Sequence, residues 1–206
     1  EGKAIRQNEI CKMSQSDILV ILDADTLPGD EYFISKLIQP MVNDSTVGLT
    51  SGPNKSVKRK NFFEKVLAWG LDYKSELFES ISDSNLFLCV GADRAFSKSF
   101  YKKIKWPAGY PEDAYSYLSA ISMEYKFKFV KSANVIFRVP DNFSDHLKQS
   151  RRFINSPNKL EKYFPKEIVD ANYKISKSIF IKKTLKFFFK NPINAIAYGF
   201  VCTYPR

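Results

Sequence analysis

From Ser16 to Asp30 the chain reads S-D-I-L-V-I-L-D-A-D-T-L-P-G-D, an unbroken aliphatic run from Ile18 to Leu22 that ends on two carboxylates, Asp23 and Asp25. A run of that length with no polar interruption is the pattern of a strand buried on both faces of a largely parallel sheet. Pro28, Gly29 and Asp30 then force a turn. In open α/β sheets ligands bind outside the carboxyl ends of the strands, so acids at that edge are placed to hold a divalent cation and the phosphates it carries. Asp is also a common turn former, and on these residues alone an Asp-rich turn closing a core strand accounts for the pattern equally well.

The remaining totals bound the answer. With 206 residues, 44% of them hydrophobic, the chain can build one sizeable domain around a real core. Its formal net charge of +10 favours an anionic partner, whether nucleic acid, a phosphorylated donor or an acidic membrane surface. Cys11, Cys89 and Cys202 are odd in number and far apart, which points to neither a disulfide framework nor a zinc site and fits a reducing compartment. The chain opens on Glu1 inside what looks like a motif, without an initiator Met, and reads as a fragment cut at the front and the back.

Periodicity predicts a helix over residues 2–14, an amphipathic helix from Glu31 to Asn43 and a short strand from Val47 to Thr50. Ser51 to Lys60 reads as a basic loop whose charge could face phosphates. Asn61 to Ile81 is a helix too apolar for a free surface, so it must bury broadly. Leu86 to Val90 reads as a strand halted at Gly91-Ala92, a small pair that lets a ligand approach the backbone. Glu112-Asp113 begin a helix running to about Met123, where ordinary capping and macrodipole stabilisation would explain two acids equally well. Tyr125 to Val130 and Val135 to Val139 follow as strands, then a helix from Asn142 to Ile154. Its His146, the sole histidine, has no Cys or His neighbour to share a metal and reads as a surface or structural residue. Beyond Pro157 lysines interleave with Ile, Leu and Phe, which suits a membrane interface, and the last apolar run, Ile193 to Val201, is too short to span a bilayer.

In chain order the motifs are G-K-A at Gly2-Lys3-Ala4 with Asn8 after it, D-A-D at Asp23-Ala24-Asp25, Gly91-Ala92, E-D at Glu112-Asp113, and Gln149, Arg152 and Phe153. That series resembles the family 2 glycosyltransferases, inverting nucleotide-sugar enzymes that include membrane-bound processive synthases of cellulose and hyaluronan. The resemblance implies a GT-A fold, an α/β architecture with a mixed, mostly parallel sheet flanked by helices, here incomplete at its amino end. It divides the chain into a partial catalytic domain, residues 1–156, and a basic, aromatic helical segment, residues 157–206. Donor and nucleotide binding fall to Lys3, Asp23, Asp25 and Arg152, with Mg²⁺ or Mn²⁺ held by Asp25 and Asp23, the latter facing the ribose. Asp113 is the implied base, with Gly91, Ala92, Glu112, Gln149 and Phe153 on the acceptor side. Phe153 stands where the family usually has Trp, keeping an aromatic face but losing the indole N–H. The strands that bind the nucleotide base in the family are not in this chain, so weak donor binding is expected of it as it stands.

The partners implied are a nucleotide-sugar donor, a glycan or lipid-linked acceptor and the cytoplasmic face of a membrane, with no nucleic acid. Two other classes compete. A haloacid-dehalogenase-like phosphatase also has an apolar strand then D-x-D, but Leu27 occupies the place of its usual Thr or Val and the later G-D-x-x-x-D pattern is missing. A non-enzymatic basic module, binding nucleic acid or membrane through Lys55 to Lys60 and the carboxyl-terminal lysines, lacks any organising nucleic-acid motif.

Overall fold

The computed structural model describes residues 2–57, 60–109 and 111–203, except for the side chains of Arg152 and Phe153. The first half of the chain runs α1 (Lys3–Met13), β1 (Ile18–Leu22), β2 (Thr26–Pro28), α2 (Phe33–Asn43), β3 (Val47–Ser51), β4 (Asn54–Ser56) and α3 (Phe62–Glu79). A 3-10 turn at Leu86–Leu88 leads into β5 (Asp93–Ser97), α4 (Lys98–Tyr101), α5 (Glu112–Ser122), β6 (Lys126–Phe129) and β7 (Val135–Phe137). Five helices finish it: α6 (Phe143–Ile154), α7 (Ser156–Leu160), α8 (Lys166–Tyr173), α9 (Lys177–Lys190) and α10 (Pro192–Thr203).

Two mixed sheets result, a main one in the order β1-β5-β3-β6 and a smaller one in the order β2-β7-β4. The α/β class is as expected, but the parallel bias is not. Both β1 and β3 pair antiparallel with β5, and β2 pairs antiparallel with β7, leaving only β3–β6 and β4–β7 parallel. The strand β1 is therefore not central and buried on both faces. Among the described residues it lies at the edge of its sheet, and all five of its residues are half-buried.

The main sheet separates two apolar layers. On one side Leu49, Phe96, Phe100, Trp106, Leu118 and Phe127 pack together. On the other, Phe33, Leu37 and Met41 at i, i+4 and i+8 of α2 meet Val47, Ala95 and Val135. Ala95 and Phe96 fall on opposite sides, as successive residues of a strand must. The terminal helices belong to the same body: Leu160 and Val169 are fully buried in the first layer, and α9 and α10 pack on α3.

Three local expectations change. Leu86 to Val90 is no strand, because Asn85 caps a 3-10 turn instead: its Oδ1 accepts from Phe87 N at 3.0 Å and its Nδ2 donates to Phe78 O at 2.9 Å. The strand comes afterwards, so Gly91-Ala92 precede β5 rather than ending a strand. Within the basic loop, Asn54–Ser56 pair with β7 through their backbones, which demands no apolar side chain; Lys58 and Arg59 of that loop lie outside the described residues.

Candidate active site

Antiparallel pairing of β1 with β5 sets Leu22 opposite Asp93, and one further bond, Asp23 N to Ala92 O at 2.9 Å, extends the ladder beyond the strands. This brings Gly91-Ala92 beside the D-A-D turn. Lys3, the first residue of α1, reaches the same point: its Nζ lies 2.5 Å from Asp23 Oδ1 and 2.7 Å from Glu112 Oε1, and donates to Gly91 O at 3.1 Å. One ammonium thus joins motifs that are far apart along the chain. The helix that carries it is fixed by Asn8, which exchanges two hydrogen bonds with the Trp106 backbone, at 2.8 and 2.9 Å.

The start of α5 is held from below by Arg94 of β5, a fully buried guanidinium. Its Nη1 donates to Glu112 O and to Ser116 Oγ, both at 2.9 Å, and its Nη2 lies 3.8 Å from Glu112 Oε1. Trp106 Nε1 adds bonds to the same two acceptors, at 3.2 and 2.9 Å. A Cβ at Gly91 would stand 3.3 Å from Glu112 Oε1 and 3.7 Å from Asp113 Oδ2, so a glycine leaves room for both carboxylates against the backbone.

The two acids of α5 have opposite characters. Burial opposes the ionisation of Glu112, but the Arg94 and Lys3 charges outweigh it and hold the carboxyl below its ordinary value. Asp113 is pushed up, first by burial and then by the neighbouring Glu112 charge. Its Oδ1 accepts from Ala114 N at 2.7 Å. On β5, Asp93 is buried and pushed up to about 8 by its removal from water, although Gly52 N donates to its Oδ2 at 2.8 Å.

The D-A-D acids differ too. Asp23 is half-buried and committed to Lys3, whereas Asp25 is exposed at the tip of the turn. Among the described residues no group of three or more His, Cys, Asp or Glu could hold a metal by itself. Two carboxylates do match a hard cation that takes its remaining ligands from a bound diphosphate and water.

Asp113, Gly91 and Gln149 line a cavity of about 440 Å³ whose opposite wall is α3 and whose far side includes Tyr198 of α10. Its lining is chiefly apolar, with Leu71, Phe78 and Phe87 among its residues. Ala92 and Glu112 stand behind this cavity rather than on it, supporting it through backbone and ion-pair contacts. The backbone of Arg152 and Phe153 belongs to α6, and their side chains, with the roles expected of them, lie outside the described residues. His146 is not a surface residue: it is half-buried and lines the cavity, its Nε2 3.2 Å from Ser150 Oγ.

Sequence reasoning missed Arg94, Asp93 and Lys74. The first two are charges inside a strand and break the apolar pattern by which strands are read. Lys74 had a visible signal, for Leu67, Leu71, Lys74 and Phe78 follow i, i+4, i+7 and i+11 and so place a lysine on an apolar stripe.

The chain matches the family model described as Glycosyl transferase family group 2 over residues 18–202. Among solved structures it is similar to a mannosyltransferase from Pyrobaculum calidifontis in complex with GDP-Man and Mn²⁺, with a TM-score of 0.59 and 16% identity over 96% of this chain. At that identity the likeness is one of fold, and the chain covers 53% of the other protein, about half its length. No curated protein matches it. Because the family model spans most of the sequence, from β1 into α10, it removes the phosphatase reading: the chain belongs to glycosyl transferase family group 2.

Proposed function

We propose that this chain carries the catalytic residues of an inverting, metal-dependent transfer of a sugar from a nucleotide-diphosphate donor to a glycan or lipid-linked acceptor. The observation that carries the reading is the Lys3 ammonium, which joins Asp23 to Glu112 and so sets the D-A-D turn beside Asp113 at the wall of a cavity.

In this mechanism Asp25, with Asp23, would hold a divalent cation, whose chemistry there would be to supply positive charge toward the diphosphate leaving group. Asp23, oriented by Lys3, faces the donor ribose. Asp113 takes the proton of the acceptor hydroxyl as that oxygen bonds the anomeric carbon and the bond to the diphosphate breaks on the opposite face. Its raised pKa makes it a stronger base than an ordinary carboxylate, effective only once pH exceeds that value. Glu112, kept ionised by Arg94 and Lys3, maintains the charge that raises Asp113. Gly91 and Gln149 line the acceptor side, and Arg152 serves the diphosphate, with Phe153 stacking on a sugar ring.

A place at the cytoplasmic face of a membrane is part of the same reading. Residues 157–206 form the basic, aromatic segment for that contact: Phe189, Ile193 and Phe200 are more than two-thirds exposed, and Lys182, Lys183 and Lys190 lie on the same two-helix unit. No helix among the described residues is long and apolar enough to cross a membrane.

The test is Asp113→Asn, which keeps the shape but cannot accept the proton. Transfer should fall by about a thousandfold while binding of the nucleotide sugar, measured by calorimetry, is unchanged. Retained transfer would remove the base assignment.

A further inference from the structure

The cavity contains a cation that the proposed mechanism does not use. Lys74 projects from the α3 face that also supplies Leu67, Leu71 and Phe78, and these residues span about 16 Å of helix. Lys74 lines the cavity while remaining open to solvent, and the packed walls around its ammonium lower its pKa. Among the described residues no carboxylate pairs with it. Its Nζ lies 6.0 Å from the centre of the Tyr198 ring and near enough to the Cys202 thiol for that group to act on its titration.

His146 is held toward its neutral form by burial and then by Lys74, against the hydrogen bond of its ring with the Val201 backbone. Glu76, also on α3, is committed to Lys186 at 2.6 Å on another side of the helix. An ammonium that lines a chiefly apolar chamber without a paired carboxylate offers an entering anion a charge-assisted contact. Asp113 lines the same chamber, so the cation and the proposed base face one enclosed volume.

We propose that Lys74 reads an anionic group on the acceptor, which is an amphipathic molecule with its apolar body along α3 and a phosphate or carboxylate against the Lys74 ammonium. This rests on reading the cavity as the acceptor side of a glycosyltransferase. It narrows the acceptor class, since a neutral glycan leaves Lys74 without a partner and the apolar stripe without a contact.

Three eight-carbon probes, octyl phosphate, octanoate and octyl glucoside, test this when titrated below their critical micelle concentrations into the full chain. Trp69 reports occupancy through its fluorescence, because its ring packs 5.7 Å from that of Tyr198 in the cavity wall. At least one anionic probe should bind about tenfold more tightly than octyl glucoside. A preference for octyl phosphate over octanoate assigns a phosphate, and the reverse a carboxylate. Lys74→Met should abolish the preference by weakening the anionic probe alone, and Lys74→Arg should keep it. Equal binding of all three probes by the unaltered chain, no binding of either anion, or an undiminished preference in Lys74→Met overturns the assignment. If the preference is absent while Asp113→Asn still blocks transfer, only the acceptor inference fails. If the preference is present while Asp113→Asn transfers normally, the anion site stands and the catalytic reading fails.

Discussion

The two acidic pairs of the site, Asp23 with Asp25 and Glu112 with Asp113, are built alike and end differently. In each, one carboxylate is pinned by Lys3 and the other is left for chemistry. The unpinned acid of the first pair, Asp25, sits exposed at a turn, where a cation can be gathered from water. The unpinned acid of the second, Asp113, is enclosed beside a like charge, where holding a proton is favoured. A single shared ammonium therefore fixes the relative position of the two pairs, one opening to solvent at Asp25 and the other enclosing Asp113.

Breaking the exposed half should cost the most activity. Asp25→Ala removes a ligand of the proposed cation and should lower metal-dependent transfer by about a thousandfold, read as turnover against Mn²⁺ concentration; a rate unchanged at saturating metal would show that the exposed acid is only a turn residue. Breaking the pinned acid of the enclosed half should act on stability as well as on Asp113. In Glu112→Gln the buried Arg94 loses its carboxylate partner, and denaturant unfolding should report a loss of about 3 kcal/mol. A loss no larger than that of a typical surface substitution would mean that Arg94 is neutralised by another group.

A pH-dependent effect comes from Asp93, under the junction. Its folded pKa of about 8 lies above its ordinary value of 3.8, so the folded chain keeps a proton that the unfolded chain releases. The associated stability is fully present below the unfolded pKa and is lost as pH rises to the folded one. The melting temperature of Asp93→Asn should gain on that of the unaltered chain, by on the order of ten degrees, between pH 4 and pH 8 and then hold steady. A difference independent of pH would show that Asp93 is ionised in the fold.

How much of this could be read from the residues follows from which interactions leave a pattern. The helices α1, α2, α3 and α5 and the strand β1 declare themselves through apolar spacing, and the acids at the end of β1 and the start of α5 could be named from sequence. Their meeting could not, because it depends on the antiparallel register that puts Leu22 beside Asp93 and on the reach of Lys3. The Leu86 to Val90 misreading has a plain cause: an apolar run records burial, and burial is satisfied equally by a strand or by a 3-10 turn capped by Asn85. The neighbouring strand was hidden for the converse reason. Asp93 and Arg94 are both fully buried, and ionisable side chains whose hydrogen bonds lie inside the fold, Asp93 with Gly52 N and Arg94 with the start of α5, look like loop residues until those partners are seen.

At the back of the cavity, a Cβ on Gly70 would lie 1.9 Å from the ring of Tyr198, so α10 seats its tyrosine in a notch that only glycine leaves open. The chamber is consequently a joint between an early helix and the last helix of the described chain. Any molecule that fills it and touches Tyr198 tightens the seating of α10, and by thermodynamic reciprocity whatever engages α10 from outside alters the affinity of the chamber to the same degree.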